Sequence, residues 1–102
     1  MKYLVTVNDC PSDPSFISEL TRSIKDGIRI NQKSLNESDI DVRVSCNQTD
    51  RVINPMSCIF ICVSSIGFEL TWEDKILIGQ DISCLLYERN KKDSLAVVIH
   101  VF

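Results

Sequence analysis

Apolar and polar positions along this chain fall into two rounds of the same pattern. Lys2 to Val7 is β-rich, and Asn8-Asp9-Cys10-Pro11-Ser12 reads as a turn. Asp13-Pro14 then starts a helix: a capping side chain, followed by a proline where its missing N–H costs nothing. Ile17, Leu20, Ile24 and Ile28 recur at three- and four-residue steps, which predicts one apolar helical face over 14–30. Asn31 to Ser38 is polar and reads as a loop. Asp39 to Cys46 alternates strictly, with Ile40, Val42, Val44 and Cys46 on one side and Asp39, Asp41, Arg43 and Ser45 on the other. That is the pattern of a half-buried strand.

The second round follows a polar stretch, Asn47 to Asp50, and a short Arg51-Val52-Ile53 run that predicts a brief strand before Asn54-Pro55. Cys58 to Val63 is continuously apolar and reads as a central strand covered on both faces. Thr71-Trp72-Glu73-Asp74 fits a capping box, in which hydroxyl and carboxylate satisfy free backbone N–H groups. Ile78, Ile82, Leu85 and Leu86 give the second helix, over 71–89, its apolar face. Leu95 to Phe102 predicts a last strand.

The order is therefore βαβ twice, with halves of matching length. The fold class is α+β: a four-stranded mixed sheet from 2–7, 39–46, 58–63 and 95–102, with both helices on one face. One domain, 1–102, accounts for the whole chain. The two apolar strands carry hydrophobic side chains on both faces. The helix-free side needs cover, and self-association through it is the simplest solution.

Charge and cysteine content narrow the functions. The net charge is −3 with no basic block, so nucleic acid is not an expected partner. The longest apolar run is far too short to span a bilayer, so membrane insertion is not expected. No signal-peptide core is recognisable, which predicts synthesis in the cytoplasm and, for any secretion, a non-classical route. Five cysteines without regular spacing argue against a disulfide framework. Cys46, Cys58, Cys62 and Cys84 lie in apolar segments and are expected to be buried thiols. His100 is the sole histidine, so neither a metal site nor a cofactor is expected.

Phe16 to Thr21, Ser65-Ile66-Gly67 and Leu85-Leu86-Tyr87-Glu88-Arg89, in this order and at near-constant spacing, resemble the macrophage migration inhibitory factor family of the tautomerase superfamily. The resemblance covers nearly the whole chain. It implies the same double βαβ fold and a trimer whose sheets enclose a channel. It also implies a site, and several of its positions are changed here. The family's catalytic proline, a secondary amine acting as base on keto acids, falls on Met1. An unperturbed primary amine has a pKa of roughly 7.7–8.0 and keeps some basicity, but lacks the rigid ring. Lys33, slightly displaced, corresponds to the substrate-binding lysine. Ile66, after Ser65, retains the pocket isoleucine. The last strand's tyrosine and asparagine fall on Val98 and His100. Ile53-Asn54-Pro55-Met56 stands where the family has a glycine pair. The Cys-x-x-Cys is broken, since Ile61 holds its second position. The chain stops at Phe102, before the family's short C-terminal strand.

These departures predict a degenerate pocket, made of Lys33, Ser65, Ile66, Val98 and His100, and no assured catalytic residue. The leading expectation is a cytokine-like protein, or a mimic of one, that binds a protein receptor on the cell surface and self-associates, with a trimer favoured. The alternatives are a weak or altered keto–enol tautomerase using the Met1 amine with Lys33 and His100, and an intracellular interaction module on the same scaffold.

Overall fold

The computed structural model describes residues 1–46, 58–89 and 96–102. The Arg51-Val52-Ile53 strand expected from sequence lies outside these residues. Strand β1 runs Lys2–Cys10, helix α1 Pro14–Arg29, strand β2 Ile40–Cys46, strand β3 Ile59–Ile66, helix α2 Trp72–Arg89 and strand β4 Val97–Val101. The sheet order is β2-β1-β3-β4. β1 pairs in parallel with β2, and β3 with β4, while β1 and β3 join the halves antiparallel. The doubled βαβ pattern is thus two parallel pairs sewn along their first strands.

Alternation decides which side of the sheet is covered. Tyr3, Val5, Val7, Ile40, Ile59, Ile61 and Val63 point to the helical side and are buried. They pack with Leu20, Ile24 and Ile28 of α1 and with Ile78, Ile82 and Leu86 of α2 in one core. Both helices therefore lie on one face, as expected. Asp13 accepts the Ser15 N–H at 3.1 Å and caps α1, whose first residue is Pro14. Thr71 Oγ1 accepts the Asp74 N–H at 3.1 Å at the start of α2.

Four details depart from the sequence reading. β1 does not end at Val7 but continues to Cys10 through a bulge, with Asp9 at φ 61°. An extra residue is accommodated there because aspartate tolerates the left-handed region better than most side chains. Asp39 is not a strand residue. It closes a 3₁₀ turn, Glu37–Asp39, and its carboxylate accepts the Asn36 N–H at 3.0 Å. β3 runs three residues past Val63, so Ser65 and Ile66 are strand residues. The cysteines also differ from expectation. Cys10 is buried, Cys58 and Cys62 are half-buried, and Cys46 and Cys84 are exposed. Cys46 is the last residue of β2, at the sheet's end, and Cys84 lies on the exposed side of α2.

Candidate functional site

The head of β1 and the tail of β3 define one end of the sheet. Lys2 pairs opposite Ile66, so Met1 and Ile66 meet at this end. Met1 is 74% exposed and Ile66 52%, both available to solvent. The loop after α1 is drawn to the same end. Tyr3 donates its hydroxyl hydrogen to Gln32 Oε1 at 2.6 Å. Arg29 Nε donates to the Leu35 carbonyl at 3.0 Å, and Leu35 is buried beneath the loop. Lys33 follows Gln32 in this loop.

Tyr3 and Gln32 are positioning residues that sequence alone does not single out. Tyr3 reads simply as one apolar position of a strand, and Gln32 as part of a polar loop. Burial pushes the Tyr3 phenol pKa above its ordinary value. Phe68 packs edge-on against its ring at 5.3 Å between centroids. Ser65 points to the same side of the sheet as Tyr3, its register partner. Its hydroxyl donates to the Phe68 carbonyl at 2.7 Å and ties down the turn after β3, where Gly67 takes φ 80°.

An open groove of about 720 Å³ runs past this end. Its charged lining consists of Lys2, Lys25, Glu37, Asp39 and Asp41, with Ile66 at its edge. Two of its three carboxylates are paired with arginines, Glu37 with Arg29 at 3.7 Å and Asp41 with Arg43 at 3.1 Å.

The remaining sequence-derived positions lie elsewhere. Val98 pairs opposite Phe60 and His100 opposite Cys62 on β4. Those partners stand six and four residues back along β3 from Ile66, roughly 20 Å and 13 Å at 3.3 Å per residue. Within one chain, therefore, Met1 and Ile66 stand at one end of the sheet, and Val98 and His100 do not join them. Val98 and His100 sit on the helix-free face, where the His100 ring leans on Phe102 at 4.2 Å.

That face is divided. On the β2 side it carries Asp41 and Arg43, paired at 3.1 Å and exposed. On the β3–β4 side Phe60, Val98 and Phe102 are 44%, 47% and 56% exposed. No group of three or more histidine, cysteine, aspartate or glutamate side chains is placed to hold a metal among the described residues. No described helix is long and apolar enough to cross a membrane.

No known family profile matches this chain, and no curated protein matches it in sequence. Solved structures do match. A fused 4-OT, a wild-type symmetric trimer, superposes with a TM-score of 0.67 at 12% identity, over 100% of this chain and 84% of that one. N1, of the cis-3-chloroacrylic acid dehalogenase family, superposes with a TM-score of 0.68 at 10% identity, over 97% and 74%. The chain thus has the α+β fold of the tautomerase superfamily. Macrophage migration inhibitory factor from Oncomelania hupensis shares it, with a TM-score of 0.57 at 16% identity, over 97% of this chain and 71% of that one. The resemblance drawn from sequence therefore holds at the level of the fold.

Proposed function

We propose that this protein is a macrophage migration inhibitory factor-like binding protein, a ligand or ligand mimic for a cell-surface receptor, in which tautomerase turnover has been lost. The head of β1 carries this reading. Met1 stands where the resemblance places the proline, exposed at the head of β1. A keto acid is itself an anion. It would meet there a base without a ring to hold it in place.

Exposed apolar residues support binding. Trp72 is 76% exposed at the start of α2, with Ile76 at 43% and Leu77 at 41% close by, and Tyr87 is 76% exposed near the helix end. Tryptophan and tyrosine are the side chains most often found to dominate protein-binding energy. The self-association proposed here uses the other side of the molecule, the β3–β4 half of the helix-free face. The assembly proposed is a trimer, as in the fused 4-OT that shares the fold. Synthesis in the cytoplasm followed by non-classical secretion completes the proposal.

Fluorescently labelled protein titrated onto intact cells tests the binding role. Saturable binding, weakened at least tenfold by Trp72→Ala while the melting temperature stays put, is the expected result. Binding that never saturates would overturn it. Trp72 is exposed, so its truncation belongs with surface changes that alter stability by about 0.5 kcal/mol or less.

A further inference from the structure

We propose that Cys10 and Cys46 form a reversible disulfide, a redox modification site at the end of the β1–β2 pair. The bulge in β1 makes the pair. Register is kept from Tyr3 opposite Ile40 to Val7 opposite Val44, slips by one residue through Asp9, and resumes with Cys10 opposite Cys46. Had the earlier register continued unbroken, Asp9 and not Cys10 would stand opposite Cys46. Neighbouring strands lie about 4.7–4.9 Å apart. That spacing is inside the roughly 4.4–6.8 Å window of Cα separations that a disulfide spans. Cys46 Sγ lies 3.8 Å from the carbonyl oxygen of Pro11, the residue that follows Cys10.

The two sulfurs differ in the way a two-step exchange requires. Cys46 is exposed and Cys10 is buried. Burial also pushes the Cys10 thiol up to about 11, so it is protonated at neutral pH and is not the first to react. With glutathione disulfide as oxidant, the Cys46 thiolate attacks one glutathione sulfur and expels a glutathione thiolate. Cys10 then loses its proton and attacks Cys46 Sγ, and the second glutathione leaves as thiolate and takes up that proton. Two protein thiols and one glutathione disulfide become one protein disulfide and two glutathione thiols.

Cys62 offers no such partner in its own register, since it stands opposite Thr6 and His100. Cys84 sits on α2, away from the sheet. The reducing cytoplasm would keep the Cys10–Cys46 pair open, and an oxidising exterior would close it. This inference stands apart from the receptor-binding proposal. Either can fail without the other.

The test is to equilibrate the full chain across a series of reduced and oxidised glutathione mixtures, quench in acid, alkylate the free thiols and map the peptides. The expected product joins the Cys10 peptide to the Cys46 peptide with the loss of two hydrogens, and melts several degrees higher than the reduced protein. Cys10→Val should leave glutathione trapped on Cys46, and Cys46→Ser should leave Cys10 unmodified. Stable glutathione on Cys46 of the unaltered protein would overturn the proposal. So would alkylation of both thiols in fully oxidised glutathione, or a disulfide between another pair. The map of the unaltered protein decides the matter even if a variant fails to fold.

Discussion

Cys10 is 1% exposed, and burial lifts its pKa from 9.0 to about 11. The sign of the resulting pH dependence follows directly. Below pH 9 the thiol is protonated in folded and unfolded chains alike, and the native state keeps its full advantage. Between pH 9 and 11 the unfolded chain loses this proton first, so stability falls as pH rises, by on the order of 1–3 kcal/mol. Denaturant melts of the reduced protein across this window should show the fall. Cys10→Val should flatten it, leaving the later loss from Tyr3, whose pKa is raised above 10.0. The buried cysteine was not legible in the sequence. Asn-Asp-Cys-Pro-Ser reads as a turn by composition, and only the bulge at Asp9 returns Cys10 to the core. The fold was legible, because the order and spacing of its segments could be matched. Tyr3 and Gln32 were not, since their partnership spans 29 residues of sequence.

At the scale of elements, the strands and helices were largely visible as periodicity, and their contacts were not. α1 and α2 approach at Gly27. A Cβ there would lie 2.8 Å from Ile82 Cγ1 and 3.0 Å from Ile82 backbone atoms. Backbone cannot swing aside as a side-chain tip can, so the helices would have to part. Gly27→Ala gains helix propensity of about 1 kcal/mol. Overpacking costs about 1–3 kcal/mol or more, and the rigid neighbour puts this site at the upper end. The expected net loss is about 1–2 kcal/mol, read as a lower denaturant midpoint with an unchanged slope. Arg89 fastens the same pair farther along. It donates to the Ser23 hydroxyl at 3.1 Å and to Asp26 Oδ2 at 3.0 Å, which satisfies a fully buried serine. From sequence, Arg89 is only a basic residue at a helix end. Its partners lie 66 and 63 positions away.

For the whole molecule, the uncovered half-face is the main unfinished surface. Among the described residues β2 and β4 are the edge strands of the sheet, and β4 adjoins the apolar half where Phe60, Val98 and Phe102 are exposed. A stable protein interface buries about 1,200–2,000 Å² in total. Light scattering at micromolar concentration should give a mass above 11.6 kDa, with a trimer expected. Val98→Lys should shift it to monomer without unfolding, because Val98 is half exposed already. A monomer in the unaltered protein would reject assembly through this face. Sequence alternation gave the two-sidedness of the sheet, but not its division into a charged half and an apolar half. That division depends on strand order, which places Asp41 and Arg43 at one edge and Val98 at the other.

The fold is that of the tautomerase superfamily, and the proposed binding role goes with a loss of keto–enol chemistry. The most direct test follows ketonisation of the enol of an aryl α-keto acid by ultraviolet absorbance, at neutral pH, with the unaltered protein. The predicted rate does not exceed that of buffer. Robust turnover that disappears when the α-amino group of Met1 is chemically blocked would contradict the claim and establish an amine-based tautomerase.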